Sequence, residues 1–470
     1  MRVLFVTPEI APWAKTGGLG DVAQSLPPAL AAEGAEPKIL VPAYPSLRAA
    51  FPQARLVAEL PSPGGSLPAA RLLEAAGDPP LWLLDCPPLF ERPGNPYQTP
   101  ENRDWPDNDL RFGLLSRTAA LLGSAASPLD WRPDIVHGND WQCGLAPVYL
   151  AHAPASRAAT VMTVHYLAYQ GLFPRDALEP LALPAETFVA DGLEFYGKLS
   201  FLKAGLAYAD LLTTVSPTYA REIQGPELGF GLEAVLRRRA ADLVGILNGV
   251  DTDVWDPSRD RLIAQRYDLE RLEDKAINKA ALQRGFGLPV SAAAPLAGMT
   301  SRLVPQKGAD LVLEVADDLV REGMQLAVLG TGEPELERAL RELALRHPRH
   351  VGVRIAFDEA LAHLIEAGAD LFLMPSRFEP CGLNQLYSMR YGTPPVVRRT
   401  GGLADSVSDE TGFLFDDPTP QALREALGHA LEVWRTPSAW RALQLNGMRR
   451  DFSWRASARA YLGVYRRALA

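Results

Sequence analysis

Residues 2–22 of the chain, RVLFVTPEIAPWAKTGGLGDV, contain the three features that decide its fold. Residues 3–6 form a short apolar run, which is typical of a strand buried on both faces of a parallel sheet. Glycines at positions 17, 18 and 20 mark a tight loop, and apolar residues at helical spacing follow from Val22. The stretch therefore predicts the first strand, loop and helix of a doubly wound α/β domain.

The same alternation continues along the chain. Further short apolar runs occupy residues 38–41, 81–85, 134–137, 160–165 and 211–215, and then 244–247, 296–300, 326–330, 351–356, 371–374 and 395–397. Helical patterns between these runs favour βαβ units. The two series predict two Rossmann-like domains, residues 1–242 and 243–451, and a final helix, residues 452–470, that packs back on the first domain.

Composition excludes several classes of protein. With 47 Lys and Arg against 56 Asp and Glu, the net charge of −9 offers no basic face for nucleic acid. Three scattered cysteines fit neither a disulfide framework nor a zinc site, and they agree with a reducing cytosol. No signal peptide or membrane-spanning run is evident. We therefore expect a cytoplasmic protein with no nucleic-acid or membrane partner.

Polar residues and glycines follow almost every predicted strand, at the sheet edge where open α/β folds bind ligands. They are Lys15, Gly17, Gly18, Asp21, Asp140, His165, Asn248, Arg302, Lys307, Gly330, Glu379, Cys381, Gly382, Thr400, Gly401 and Gly402. Turn formation accounts for many of the glycines. It does not account for the cations beside them, and we interpret the set as two polar rims that face each other across a cleft.

Two of the cations are candidates for binding a diphosphate. Arg302 and Lys307 follow a buried strand and precede a helical run at residues 309–319. Arginine binds phosphate oxygens through a planar fork and lysine adds a point charge, so the pair could stabilise a departing diphosphate. Salt bridges to neighbouring acids are the structural alternative, and residue types alone leave both open.

The other candidate groups also leave alternatives open. The loop at residues 17–20 could present N–H groups to an anion, but it departs from G-x-G-x-x-G and also fits a plain turn. The side chains of Glu379, Asp140 and His165 should reach the cleft, although a lone histidine is usually structural. No metal-binding motif is present, so we expect neither a metal nor a cofactor.

Taken together, these segments resemble the bacterial glycogen synthases and plant starch synthases, which are retaining glucosyltransferases of the GT-B fold. The resemblance runs through the whole chain. It is carried by residues 15–22 (KTGGLGDV), 169–173 (YQGLF), 200–205 (SFLKAG), 214–220 (TVSPTYA), 247–251 (LNGVD), 301–303 (SRL), 306–308 (QKG), 377–383 (RFEPCGL) and 399–405 (RTGGLAD).

The resemblance implies an activity and a set of roles. Glucose would move from ADP-glucose to the non-reducing end of an α-1,4-glucan with retention of configuration, without a metal, as the two domains close over the donor. Lys15 and the loop of Gly17 and Gly18, which Asp21 helps to hold, would approach the diphosphate and the glucose. Arg302 and Lys307 would bind the diphosphate, Glu379 the glucose hydroxyls, and residues 381–383 and 400–402 would contact sugar and phosphate through their backbone. Asp140 and His165 would lie beside the anomeric carbon.

Several positions depart from the pattern of the family that the chain resembles. They are Asn139, Gln142, Tyr166, Phe357, Asp358 and Asn384, which touch the glucose pocket and the base-stacking region. The choice between ADP-glucose and UDP-glucose therefore stays open. Another retaining GT-B transferase and a non-catalytic sugar-binding protein are the alternatives, but the second would be expected to lose Arg302, Lys307 or Glu379. Tyr387, where the wider superfamily has a second Glu, agrees with the synthases.

Overall fold

The computed structural model describes residues 1–153 and 156–470. The chain divides into two compact units, one formed by Met1–Asn248 with Trp454–Ala470 and the other by Gly249–Ser453. Each unit has its own sheets and its own apolar core. The first unit is therefore assembled from two separate stretches of chain, whereas the second is continuous.

The described strands of the first unit are β1 (Arg2–Val6), β2 (Glu36–Pro42), β3 (Arg55–Leu60), β4 (Ala70–Ala75), β5 (Leu81–Asp85), β6 (Ile135–Asn139), β7 (Ala159–Val164), β8 (Leu172–Phe173), β9 (Glu194–Phe195), β10 (Lys198–Ser200), β11 (Leu211–Thr214) and β12 (Leu243–Gly245). Its helices are α1 (Gly18–Ala32), α2 (Pro45–Ala50), α3 (Pro87–Phe90), α4 (Asn108–Leu122), α5 (Leu145–Ala151), α6 (Phe201–Tyr208), α7 (Pro217–Glu222) and α8 (Glu233–Arg238).

Nine of these strands form one sheet in the order β12-β11-β7-β6-β1-β2-β5-β4-β3. The pairs from β12 to β5 are parallel, and β4 and β3 continue the sheet as an antiparallel edge. The apolar runs explain the parallel part, because β1, β5 and β6 are buried almost throughout. Strands β8, β10 and β9 form a separate small antiparallel sheet.

The second unit contains β13 (Leu296–Thr300), β14 (Gln325–Gly330), β15 (Val351–Ile355), β16 (Leu371–Met374), β17 (Pro395–Arg398) and β18 (Phe413–Phe415). Its helices are α9 (Lys275–Gly285), α10 (Ala309–Arg321), α11 (Pro334–Arg346), α12 (Glu359–Gly368), α13 (Asn384–Arg390), α14 (Gly401–Ser406), α15 (Pro420–Trp434) and α16 (Pro437–Arg449). The strands form one parallel sheet in the order β15-β14-β13-β16-β17-β18.

A last helix, α17 (Trp454–Ala468), returns the chain to the first unit. Its side chains Tyr461 and Tyr465 are fully buried in the core of that unit. The hydroxyl of Tyr465 lies 2.7 Å from Nδ1 of His137 on β6. On its outer side, Arg455 and Arg459 pair with Glu33 at the end of α1, at 2.5 and 2.9 Å.

One predicted strand lies in a different sheet from the one expected. The run at residues 244–247 was assigned to the second domain, with the junction at residues 242 and 243. In the structure β12 pairs in parallel with β11, in the register Leu212 to Leu243, so it is an edge strand of the first sheet. The chain leaves this sheet only afterwards, and the second unit begins at Gly249.

Candidate active site

The candidate residues of each unit gather where the strand order of its sheet reverses. In the first sheet the reversal lies between β1 and β6, and in the second between β13 and β16. At such a point the loops beyond neighbouring strands diverge to opposite sides, which opens a crevice for ligands. The glycine loop follows β1, Asp140 follows β6, Arg302 follows β13 and Glu379 follows β16.

Glu9 organises the glycine loop of the first unit. Its carboxylate accepts hydrogen bonds from the backbone N–H and the hydroxyl of Thr16, at 2.6 and 2.7 Å, and from the N–H of Gly17 at 3.3 Å. The hydroxyl of Tyr97 donates to the same carboxylate at 2.5 Å. Glu9 was not among the predicted site residues. A carboxylate that directly follows a buried strand, and precedes the glycines, is the sequence signal that could have identified it.

The glycines themselves leave room for a ligand. A Cβ atom added to Gly17 or Gly18 would meet no atom within 4 Å, so packing does not require glycine at either position. Gly18 begins α1, whose first-turn N–H groups are suited to an anion. Beside the loop, Nζ of the partly exposed Lys15 lies 2.7 Å from the Asp21 carboxylate.

Asp140 and His165 occupy neighbouring strand ends and are linked through the backbone. The Asp140 carboxylate accepts a hydrogen bond from the N–H of His165 at 2.7 Å and another from the N–H of Tyr166. Asp140 itself has a φ of 55°, a left-handed conformation that is uncommon outside glycine. Nε2 of His165 lies 3.0 Å from Oδ1 of Asn139, whose amide nitrogen donates to a carbonyl of β1. That oxygen must accept, so Nε2 of His165 donates.

Burial shifts the ionisation of both side chains toward the neutral form. It raises the pKa of Asp140 from 3.8 to about 7, although the two backbone N–H groups oppose the rise. It lowers the pKa of His165 from 6.5 to about 3. His165 is therefore a neutral imidazole at physiological pH, and Asp140 is close to its midpoint.

In the second unit a cavity of about 220 Å³ opens at the carboxyl ends of β13 and β16. Arg302, Lys307, Glu379, Gly382 and Leu383 contribute to its lining. The guanidinium of Arg302 is exposed and makes no hydrogen bond or ion pair within residues 1–153 and 156–470. The structure thus brings five of the predicted residues together around one small cavity, with the unpartnered cation of Arg302 in its lining.

Lys307 and Glu379 form an ion pair in this cavity. Nζ of Lys307 lies 2.5 Å from Oε2 of Glu379, and the hydroxyl of Ser376 donates to the same oxygen at 3.1 Å. Lys307 ends a short helical turn, and Gly308, with a φ of 73°, then reverses the backbone into α10. A Cβ atom at Gly308 would lie 2.2 Å from the carbonyl oxygen of Pro375, so this close approach needs glycine.

Arg377 holds the loops that carry Lys307 and Glu379. Its guanidinium forms two hydrogen bonds with the Asp310 carboxylate, at 2.8 and 2.6 Å, and a third with the carbonyl of Pro305 at 2.5 Å. Its backbone N–H donates to the carbonyl of Gln306 at 2.8 Å. Arg377 lies in the segment of residues 377–383 that carries the resemblance, but the sequence predicts no role for it.

Three predicted binding glycines have packing roles. A Cβ atom on Gly401 would lie 1.9 Å from the carbonyl oxygen of Glu379, and one on Gly402 would lie 2.0 Å from that of Cys381. A Cβ atom on Gly330 would lie 2.0 Å from the carbonyl oxygen of Ser301, in the loop before Arg302. These glycines position the loops around the cavity, whatever contacts they make with a ligand.

Three further predicted residues are buried. Thr400 precedes α14, and Cys381 lies in the loop that packs on it. Asn248 ends the first unit, and Oδ1 of its buried amide has no hydrogen-bond partner in the described parts of the chain. Within residues 1–153 and 156–470, no side-chain hydrogen bond joins Asn248 to the other candidate residues.

Some of the departing residues have clear structural functions. The Asp358 side chain caps α12 by accepting a hydrogen bond from the N–H of Leu361 at 2.9 Å. The amide of Asn384 donates to the carbonyl of Thr300 at 2.8 Å and joins α13 to the end of β13. Phe357, in contrast, lies just beyond β15 with 93% of its surface exposed. Packing within the unit does not explain this ring.

Residues 1–153 and 156–470 contain neither a membrane-spanning helix nor a cluster of metal ligands. None of their helices is both long and apolar enough to cross a membrane. Within the same residues, no three His, Cys, Asp or Glu side chains are placed so as to hold a metal ion.

The chain matches two family models. One, described as the starch synthase catalytic domain, covers residues 2–238, and the other, described as glycosyl transferases group 1, covers residues 289–442. Among curated proteins, the chain is 55% identical to a glycogen synthase of Dechloromonas aromatica, over 100% of this chain and 99% of that protein. It is 54% identical to a glycogen synthase of Aromatoleum aromaticum, over 99% and 96%.

The chain is also similar to solved structures, including one of a starch synthase. The catalytic domain of starch synthase IV from Arabidopsis thaliana, bound to ADP and acarbose, superposes with a TM-score of 0.86 at 32% identity, over 100% of this chain and 99% of that one. A sucrose-phosphate synthase from Thermosynechococcus elongatus shares the fold alone, with a TM-score of 0.60 at 19% identity over 99% and 98%.

Proposed function

The chain belongs to the glycogen and starch synthase family of GT-B hexosyltransferases, and from this premise we propose that it transfers glucose from ADP-glucose to the non-reducing end of an α-1,4-glucan with retention of configuration. The observation that carries the proposal is the cavity in which Lys307 pairs with Glu379 beside the unpartnered Arg302. A cation pair and a carboxylate are what a sugar diphosphate requires. We assign the donor to the second unit and the acceptor to the first.

On the donor side, Arg302 and Lys307 would bind the diphosphate. Negative charge grows on this group as the bond to the anomeric carbon breaks, and cations already in place stabilise that charge without reorganising. Exposure of the Arg302 guanidinium leaves its planar fork available for two phosphate oxygens. Glu379, held by Ser376 and by Lys307, would accept hydrogen bonds from the glucose hydroxyls.

On the acceptor side, Lys15 and the loop of Gly17 and Gly18 would contribute further positive potential. The empty space around both glycines and the start of α1 at Gly18 support close approach of an anion. Asp21 would hold Lys15 until the ligand arrives. We place Asp140 and His165 beside the anomeric carbon, where the neutral imidazole of His165 offers hydrogen bonds without a competing charge.

Retention of configuration limits the mechanism. The Glu379 carboxylate is held by Lys307 and Ser376, and the Asp140 carboxylate is held by the N–H groups of His165 and Tyr166, so we assign neither as the nucleophile of a retaining glycosidase. We propose that the acceptor hydroxyl attacks on the face from which the diphosphate departs. The hydroxyl proton passes to a phosphate oxygen of the leaving group, so that one sugar–oxygen bond breaks as another forms on the same side.

Donor choice is assigned to the exposed ring of Phe357. An aromatic ring exposed beyond β15, in the unit that carries Arg302, is suited to stacking on the nucleotide base. The related starch synthase IV structure contains ADP, which favours an adenine nucleotide. The three cysteines are free and buried, in agreement with a reducing cytosol, where we place the reaction.

The test is glucose transfer from ADP-glucose and from UDP-glucose, compared with glycogen as primer. We expect ADP release and glucose incorporation in equal amounts, with ADP-glucose preferred and with little release when primer is omitted. Release without incorporation would contradict the transferase assignment. Preference for another nucleotide sugar would instead support a different retaining GT-B transferase.

A further inference from the structure

A group of five aromatic rings, three of them exposed and two half-buried, lies in the first unit and has no role in the transfer proposed above. It consists of Tyr166, Tyr169, Phe195, Tyr196 and Phe230, and we call it the aromatic platform. Tyr196 is 82% exposed and Tyr169 is 60% exposed. Surface aromatics occur singly in most proteins, whereas a contiguous exposed group usually marks a binding surface.

The five rings form one connected surface. Tyr166 contacts Tyr169 edge to face, with ring centroids 5.1 Å apart, and Phe230 at 6.5 Å. Phe195 and Tyr196 are in edge-to-face contact at 4.7 Å. The backbone of Gly231 joins the two groups, because a Cβ atom there would lie 3.0 Å from Phe195 and 3.4 Å from Tyr196.

The backbone holds two of these rings outward at an energetic cost. Tyr196 and Gly197 form the two-residue turn between β9 and β10, with φ values of 47° and 80°. Turns of this kind favour Asn-Gly, because a bulky side chain is strained at positive φ. Phe230 is strained in the same way, at a φ of 49°. Strain of this kind persists where a side chain has a function at that position.

The platform begins beside the proposed reaction centre. Tyr166 directly follows His165, and its backbone N–H donates to the Asp140 carboxylate. The side chain of Gln170 reaches from the same loop to the carbonyl of Phe230, at 2.9 Å. A polymer with its end at Asp140 can therefore continue over Tyr166 toward Phe230 and Tyr196.

We infer that the aromatic platform binds the body of the acceptor, as a row of stacking sites for successive glucose units of an α-glucan. The inference rests on the proposed function, since it assumes a glucan acceptor in the first unit. Each glucose ring presents an apolar C–H face that packs on an aromatic ring, while its hydroxyls stay hydrated. The platform supplies apolar ring faces, which suit a neutral polysaccharide.

Tyr196→Asn is the decisive variant, because asparagine suits this turn and only the ring is lost. Retardation of the native protein in gels containing glycogen measures binding without any donor. We expect the affinity for glycogen to fall about tenfold, and the KM for glycogen to rise to match, with the KM for ADP-glucose and for maltose unchanged. Phe230→Asn should also lower the affinity for glycogen, whereas Tyr196→Phe, which keeps the ring, should bind glycogen normally. The thermal midpoint of Tyr196→Asn should not fall.

Leu345→Asn is the matched control, because Leu345 on α11 is 80% exposed and belongs to the second unit. It should leave glycogen binding intact. Normal retardation of the double variant Tyr196→Asn/Phe230→Asn in glycogen gels would overturn the inference. So would sedimentation velocity showing that the wild type is a dimer and that Tyr196→Asn dissociates it, because the rings would then form a subunit interface. If the wild type binds glycogen but transfers no glucose, the proposed function fails while the platform stands.

Discussion

Nζ of Lys307 lies 2.5 Å from Oε2 of Glu379, so the two groups assigned to opposite ends of the sugar diphosphate are bound to each other in the structure. Each charge compensates the other at a site that is largely shielded from water. When a donor binds, the ammonium can turn to the phosphates and the carboxylate to the sugar hydroxyls. The pair thus keeps two poorly solvated charges in position until the ligand replaces their interaction.

Lys307→Ala should reduce kcat on the order of 10²–10³-fold, because it removes a cation from the departing diphosphate. It also leaves the Glu379 carboxylate with Ser376 as its remaining side-chain donor, which should lower the free energy of unfolding by about 1–3 kcal/mol. Kinetics and thermal unfolding of the same preparations separate the two effects.

Two further variants control this experiment. Lys307→Ala/Glu379→Gln should regain thermal stability without regaining turnover. Lys279→Ala breaks the buried Lys279–Asp370 pair, at 2.7 Å in the same unit, and should lower stability while leaving kcat normal. Near-normal turnover of Lys307→Ala would remove the lysine from the mechanism.

Asp140→Asn should change the pH dependence of stability. Folding raises the pKa of Asp140 from 3.8 to about 7, so the folded protein binds this proton more tightly than the unfolded chain does. The free energy of unfolding of the wild type therefore falls as pH rises from about 4 to about 7. Denaturant titrations give the difference in the free energy of unfolding between Asp140→Asn and the wild type at each pH. Between about pH 4 and about pH 8, this difference should shift in favour of the variant by up to about 4 kcal/mol.

Asp210→Asn is a control of opposite sign, because Arg157 and Thr160 hold the pKa of Asp210 below its ordinary value. It should lose stability at neutral pH rather than gain it. A pH-independent difference between Asp140→Asn and the wild type would show that Asp140 ionises normally.

Phe357→Ala should raise the KM for ADP-glucose about tenfold, because loss of base stacking on an aromatic ring typically costs about 1–3 kcal/mol. The thermal midpoint should not change, since the ring is 93% exposed. Initial-rate kinetics at saturating glycogen measure the effect, with Leu345→Ala as the comparison. An unchanged donor KM would place the nucleotide base elsewhere.

Glu9→Gln should loosen the glycine loop while keeping the size of the side chain. An amide has one acceptor oxygen for the donors that Thr16, Gly17 and Tyr97 present to the carboxylate, so at least one loses its partner. We expect the kcat/KM for the donor to fall about tenfold, and hydrogen exchange at Thr16 and Gly17 to become faster.

Glu36→Gln tests whether this effect is local. The Glu36 carboxylate accepts a hydrogen bond from Nε1 of Trp131 at 2.6 Å, at the amino end of β2. It should leave donor kinetics unchanged. Unaltered exchange at Thr16 in Glu9→Gln would mean that the loop is held by other contacts.

The sequence predicted the parts of the fold whose signal is local. Buried apolar runs identified the parallel strands around β1 and β13, and the fold class and family are confirmed. The hairpin of β3 and β4 was missed, because the edge strand β3 is largely exposed and neither strand shows a regular alternation of apolar and polar residues. Strand β12 was assigned to the wrong sheet, since residues 243–245 carry no sign of which neighbour they will pair with.

In the candidate site, too, the sequence predicted the residues with a local signal and missed those whose contacts are distant in the chain. Residues such as Arg302 and Lys307 were predicted from their place after a strand, and their catalytic roles remain predictions. Glu9 has local partners in Thr16 and Gly17, at 7 and 8 positions, and its place before the glycines was the signal overlooked, whereas its contact with Tyr97 spans 88 positions. Arg377 was missed because its partner Asp310 lies 67 positions away in the chain. Contacts of this length follow from the tertiary structure, and no local pattern encodes them.

Helix α17 also has a consequence for the order in which the chain folds during synthesis. The side chains of Tyr461 and Tyr465 complete the core of the first unit around His137, so a ribosome must translate the chain as far as residue 465 before that core can close. The continuous Gly249–Ser453 stretch, although made later than most of the first unit, can mature before it. Nascent chains that stall after the second unit has folded, but before α17 has been made, would expose an apolar surface beside β6. Chaperones would be expected to bind there.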